Sequence, residues 1–329
     1  MKYALGVFLL FFGTLSASGI NLGQKGPGQQ PPLVKEEARD IFGYAEASYI
    51  YWIARRDSVG GFISNIYYPA TADPKQGTVV YAPHSAQSGF KVAAGLRFVE
   101  REMELLLRYT WFNNNHPGTG VYSYPGGQAY VPIDPSLTTT TGGTIQWKNE
   151  YQKIVLEFVN ILPTFQYLSQ RPYFMLVSAW DHEVTKLFSE NGNGKNPSTT
   201  TLDQTWWSIG PELGLRFGYF IYKGKKNQLS IISMNGAAQT WGPTKSTLLE
   251  IENSTGDTVL SSQESVSTIS TLVDMEIGLA YSYRDLERNT SSVEFRVNWE
   301  LQTWVNNYSA FNESLLILQG LTMTLVCVF

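Results

Sequence analysis

Residues 291–304 constrain the fold more than any other stretch. There Glu294, Arg296, Asn298, Glu300 and Gln302 alternate with Val293, Phe295, Val297, Trp299 and Leu301. Successive side chains of a β-strand point to opposite faces, so this segment has one apolar face and one charged or polar face. A strand with hydrocarbon on one side and a wet interior on the other needs both.

The same phase recurs along the chain. Residues 102–112 set Glu102, Glu104 and Arg108 against Met103, Leu105, Leu107, Tyr109 and Trp111, and residues 89–99 set Lys91 and Arg97 against Phe90, Val92, Ala94, Leu96 and Phe98. From 206 to 221, Ser208, Glu212 and Arg216 oppose Trp207, Ile209, Leu213, Leu215, Phe217, Tyr219 and Ile221. Residues 268–284 set Asp274, Glu276, Ser282 and Arg284 against Ile269, Val273, Met275, Ile277, Leu279, Tyr281 and Tyr283. The fold expected is an all-β, antiparallel up-and-down transmembrane barrel. Its inward face is expected to carry Glu46, Lys91, Arg97, Glu102, Glu104, Arg108, Lys153, Glu157, Glu212, Arg216, Asp274, Glu276, Glu294, Arg296 and Glu300, and its lipid face Leu105, Leu107, Leu213, Leu215, Val297, Leu325 and Phe329. An aromatic residue closing an amphipathic strand, Leu321 to Phe329, suits recognition by the barrel-assembly machinery. The single cysteine, Cys327, falls on the lipid face and cannot form an internal disulfide.

Ten strands are expected, near 42–55, 88–99, 102–112, 144–160, 172–183, 204–221, 228–241, 267–284, 291–304 and 314–329. Short links at 100–101, 161–171, 222–227 and 285–290 alternate with long polar connections at 56–87, 113–143, 184–203 and 242–266, as in barrels with short periplasmic turns and long external loops. The strand at 228–241 has the least regular apolar face, because Ser233, Asn235 and Gln239 interrupt it. Pieces at 62–67 and 78–82 would raise the count to twelve.

The amino terminus suggests the route. Lys2, an apolar run from Ala4 to Leu15 and the small residues Ser16, Ala17 and Ser18 form a signal-peptide pattern over 1–18, too short for a membrane helix of about 20 residues. Residues 19–41, rich in Gln, Pro and Gly, read as a flexible periplasmic lead-in, and 42–329 as the barrel. Charged residues make up 16% of the chain and aromatics 14%, which fits a large hydrocarbon-facing area bordered by Trp and Tyr. Nothing in the charge distribution points to nucleic acid.

Several tracts also resemble a known family. Tyr44-Ala45-Glu46-Ala47-Ser48-Tyr49 with Trp52, Trp207-Ser208-Ile209-Gly210-Pro211-Glu212-Leu213-Gly214-Leu215, Asn235-Gly236-Ala237-Ala238, Trp299-Glu300-Leu301-Gln302-Thr303-Trp304 and Leu318-Gln319-Gly320-Leu321-Thr322 are similar to the pore-forming, major-outer-membrane-protein-like family of Legionella and environmental chlamydiae. The resemblance implies a porin in the bacterial outer membrane, without catalytic residues, cofactor or metal.

A passive channel for small hydrophilic solutes or ions is therefore expected, surrounded by outer-membrane lipid and lipopolysaccharide, with homo-oligomers open. Six basic and nine acidic inward charges give the expected lumen a mild cation preference. Competing readings are a narrow barrel blocked by its own side chains and external loops serving adhesion. A rim hydrolase is a third, built from His84, His116 or His182 with Asp73, Asp181, Glu183 or Asp203. A soluble β-sandwich or lipocalin-like barrel fits the pattern less well, since such folds leave their charged faces to bulk water.

Overall fold

The computed structural model describes residues 41–56, 60–64, 78–81, 84–98, 101–115, 120–123, 142–162, 167–189, 196–284, 292–305 and 315–329. The expected signal peptide and all of the lead-in except Ile41 lie outside these residues, as do His116 and Asp73.

Thirteen strands follow in chain order: β1 (Ile41–Arg56), β2 (Gly60–Ser64), β3 (Thr78–Tyr81), β4 (Ala86–Phe98), β5 (Met103–Asn114), β6 (Gly120–Ser123), β7 (Gly142–Asn160), β8 (Leu168–Ser189), β9 (Ser198–Lys223), β10 (Asn227–Glu252), β11 (Thr258–Arg284), β12 (Ser292–Val305) and β13 (Leu316–Val328). Ten form a closed antiparallel ring in the order β5-β4-β1-β13-β12-β11-β10-β9-β8-β7, and β5 pairs back onto β7. Closure leaves no unpaired strand edge in hydrocarbon, the condition for a sheet to cross a membrane. The pieces expected near 62–67 and 78–82 do not add to the ring. They pair with each other as β2 and β3, while β6 adds a short pairing to the start of β7.

Two connections expected as long loops are strand instead. β8 to β11 contain 22, 26, 26 and 27 residues, so most of 184–203 and 242–266 is paired sheet. The ladder from Trp241↔Ile269 to Glu250↔Leu260 explains why. This Ser- and Thr-rich sequence keeps its period of two after its outward face turns polar, and in water a hairpin does not need an apolar outer face. The β10–β11 turn is only residues 253–257, where Gly256 takes a φ of 76° that costs a glycine little. Ser254 and Asn196 both donate to the Glu252 carboxylate and hold its pKa below the usual carboxylate range. With Thr199 donating to Asn253 at 2.9 Å, they join this turn to the start of β9.

Outward aromatics mark the membrane borders. Trp180 stands opposite Trp207, with Trp241 beside Ile209, and toward the short-turn end Tyr167, Tyr219, Tyr281 and Tyr283 are exposed. From Trp207 to Tyr219 the chain advances about 40 Å, or roughly 28 Å along the barrel axis at a 45° tilt, close to the apolar band of about 25 Å expected for such barrels. Between the borders Leu107, Leu213, Ile277, Leu279 and Leu325 are exposed outward. Val297→Lys should therefore lower unfolding stability in lipid vesicles by about 2–4 kcal/mol, whereas Thr303→Lys, six residues higher on the same outward phase and so about 14 Å nearer the upper border, should cost less than about 1 kcal/mol. Denaturant titration of both variants checks the facing.

Candidate functional site: a charged chamber beneath an aromatic layer

Glycines and small residues on inward positions leave room at the short-turn end for a chamber of about 400 Å³. Glu46, Lys91, Arg97, Glu104, Arg108, Lys153, Arg216, Asp274, Glu276, Glu294, Arg296 and Glu300 stand on its wall. Glu157 and Glu212, on the same inward phase, are fully buried beside it. Glu102 departs from the expected inward set. It is exposed at the end of the link between β4 and β5, with a φ of 49°, because strand pairing begins only at Phe98↔Met103 and the inward alternation does not reach residue 102. On the expected lipid side, Leu107, Leu213, Leu325 and Phe329 are exposed, while Leu105, Leu215 and Val297 are partly covered by neighbours.

The charges are arranged as a network. Glu157 forms ion pairs with Arg108, at 3.2 Å, and with Arg216, while Arg108 reaches Glu46 at 3.3 Å. Lys153 meets Asp274 at 2.9 Å, and Lys91 pairs with Glu300. Tyr44 donates to Glu46 at 2.9 Å and Tyr173 to Glu212 at 3.1 Å. Tyr173 lies over Gly214 and Gly236, which face each other across β9 and β10; a Cβ on either would overlap its phenol, so these glycines make space for that hydrogen bond.

The wall also contains basic residues that the strand phase alone did not assign. Arg171 joins it from the start of β8, Lys223 from the end of β9, and Lys225 and Lys226 from the β9–β10 turn. With them the wall carries ten basic and six acidic side chains, and the buried Glu157 and Glu212 bring the acids to eight.

Above the chamber the bore is filled. Trp52, Phe112, Tyr151, Trp206 and Trp304 all point inward and are at most 6% exposed. Tyr151 on β7 and Trp304 on β12 are five places apart in the ten-strand ring, which is diametrically opposite, yet their ring centroids are 6.4 Å apart. Trp206 meets Trp304 edge-on at 4.9 Å and Trp52 meets Phe112 at 5.9 Å. Tyr151 donates across the lumen to Gln302, and Lys91 sits 4.8 Å from the Trp52 ring centroid. Higher still, Arg56 on β1 pairs with Glu183 on β8 and Asn149 donates to Asp181, while Ile145, Leu187, Leu272 and Leu316 fill the remaining space. The inward face is thus an open charged chamber in its lower half and a packed mixture of rings, aliphatics and buried polar pairs above it.

Of the described residues considered for hydrolysis, His182 and Asp203 form the one histidine–acid pair. Asp181 and Glu183 are buried inside the barrel. His182 and Asp203 meet at 3.1 Å but project from its outer wall, next to Trp180 and Trp207. His84 packs edge-on against Trp147. No metal-binding cluster occurs among the described residues.

A closed barrel, two aromatic borders and a charged interior agree with the family comparison. The sequence pattern of the family described as Legionella pneumophila major outer membrane protein precursor matches residues 45–319. The chain belongs to this family. As a Legionella-type major outer membrane protein it is a β-barrel of the bacterial outer membrane, with the chamber at its short-turn end. No curated relative matches the chain. Among solved structures, the outer membrane protease OmpT from Escherichia coli is 10% identical with a TM-score of 0.45, covering 88% of this chain and 97% of its own. The Pseudomonas putida toluene transporter TodX is 5% identical with a TM-score of 0.25, covering 88% of each chain. Neither protein's activity transfers to this one at such distances.

Glu157→Gln should remove the only described carboxylate partner of Arg216 and one of the two partners of Arg108. The expected loss is about 3–5 kcal/mol of stability, as for other buried pairs deprived of one member. Denaturant unfolding in vesicles measures it, and Glu102→Gln, in the exposed turn, should leave stability unchanged.

Proposed function

We propose that the protein is a low-conductance, gated channel for small hydrophilic solutes and ions, closed at mid-height by the aromatic layer and favouring anions. The observation behind this reading is the charged chamber ending on a layer of touching rings. Ionisable groups at membrane depth are costly to keep and are typically found where they serve an ion or solute path, and the layer stands across that path. The excess of basic side chains on the wall supports anion preference, opposite to the cation preference expected from the strand faces alone. In this reading residues 1–18 direct export, 19–41 lead into the barrel, and the chamber-wall charges form the solute path. Lipopolysaccharide surrounds the outer half, and β13 delivers the chain to the assembly machinery.

A second reading has an observation of its own. The contact between rings of diametrically opposite strands favours a barrel that never conducts and acts through the paired β8–β11 ribbons outside the membrane. Single-channel recording in planar bilayers under a salt gradient separates the two. For the channel, the native protein shows brief, small openings with an anion-selective reversal potential. Trp304→Ala raises open probability or conductance, and Lys225→Glu with Lys226→Glu moves the reversal potential toward cations. Silence from both the native protein and Trp304→Ala, with normal insertion, overturns the channel reading and leaves the second.

A further inference from the structure

At the short-turn end of the chamber the bases outnumber the acids that could answer them. Arg97 near the end of β4, Arg171 near the start of β8, Lys223 at the end of β9 and Lys225 and Lys226 in the β9–β10 turn all line it there. The two arginines share one carboxylate oxygen: Arg97 Nε is 3.7 Å and Arg171 Nη1 3.8 Å from Oε1 of the buried Glu104. Both distances exceed hydrogen-bond length, so the guanidinium forks keep their donors. Glu294, the other acid near this end, is held by Arg296. The three lysines are exposed and have no acidic partner among the described residues.

The backbone register sharpens the imbalance. Arg171 stands directly opposite Arg216 on β9, a like-charge pair that a sheet disfavours unless counter-charge lies beside it. Arg216 has Glu157, whereas Arg171 has only its share of Glu104. Five bases thus surround one shared acid, an excess that a single negative charge would not answer. Guanidinium forks match the paired oxygens of a phosphate, and lysines add point charge to it. A chamber of about 400 Å³ has room for such a group with a few carbons attached.

We infer that the short-turn end of the chamber is a binding site for a small solute carrying a doubly charged phosphate group, gripped by Arg97 and Arg171 and neutralised further by Lys223, Lys225 and Lys226. A phospholipid headgroup offers similar chemistry, but Arg97 and Arg171 are on the inward phase, away from lipid, which favours a dissolved ligand. As the substrate class of the proposed channel, the phosphate solute rests on that reading; the site itself rests on the cations alone.

The test is calorimetric titration of the full chain, refolded in octyl glucoside at pH 8, where a phosphomonoester with a second pKa of about 6 is doubly charged. Glycerol 3-phosphate should bind saturably and at least roughly tenfold more tightly than acetate. Arg97→Gln with Arg171→Gln should weaken that binding by roughly tenfold or more, and Arg171→Lys, which keeps the charge and loses the fork, by roughly threefold. Because the double arginine change strips Glu104 of both partners, Lys225→Gln with Lys226→Gln, in an exposed turn, gives a second measure and should also weaken binding. Arg55→Gln, exposed on the outer phase at the other end of β1, should leave it unchanged. Failure of glycerol 3-phosphate to bind, acetate binding as tightly, or unaltered binding by the folded lysine variant overturns the proposal. So does binding of dihexanoyl phosphatidic acid alone, which would make this a lipid site. Saturable binding by a protein that stays silent in planar bilayers upholds the site and removes only the channel.

Discussion

The pairing of the first barrel strand with the last governs the rest of the structure. β1 and β13 run antiparallel from Tyr44↔Val328 to Arg56↔Leu316, so the ring of ten strands has no free edge. At Gly43 and Phe329 two further backbone bonds, 2.7 and 3.0 Å long, extend the seam. Once ten strands close, the bore is fixed. It is wider than an eight-strand barrel, which side chains fill, but far short of the sixteen or more strands that leave an aqueous channel. Aromatic rings placed inward from opposite walls must therefore meet, and the space left over is the chamber.

The molecule resolves this crowding differently at different heights. In the lower half small inward residues and arginines leave a charged volume; in the upper half indoles and aliphatics, with the Arg56–Glu183 and Asn149–Asp181 pairs among them, fill the bore. Charge is retained where acids and bases can pair across the gap, as Arg108, Glu157 and Arg216 do. Where the wall leaves the membrane, the outer face becomes threonine and serine while the inner face remains packed. The tall β8–β11 ribbons are thus a continuation of the barrel core into water.

Much of this was legible in the sequence, because the inward and outward phases of a strand leave a period-two trace that hydrocarbon enforces strictly. The ten barrel strands and their facing could be read for that reason. The ribbon strands could not, since an outer face in water loses the apolar half of the pattern and 184–203 and 242–266 then resemble loops. The aromatic layer left a signal that was overlooked. Trp304 shares the phase of Glu300 and Gln302, and Trp52 that of Glu46 and Ser48, so indoles stood on a face that was expected to be polar. Lys225 and Lys226 were hidden because residues at a turn have no phase to read, and Lys223 because it stands at the very end of β9, past the expected strand limit of 221.

The interior ion pairs have a consequence for assembly. Lys91 and Glu300 are 209 positions apart, and Arg56 and Glu183 lie on strands far apart around the ring. In a half-built barrel each of these groups would face the membrane or the bore without its counter-charge. Such intermediates are penalised by the groups that stabilise the finished ring, so closure becomes close to an all-or-none event, and a chain missing either end has no comfortable resting place in the bilayer.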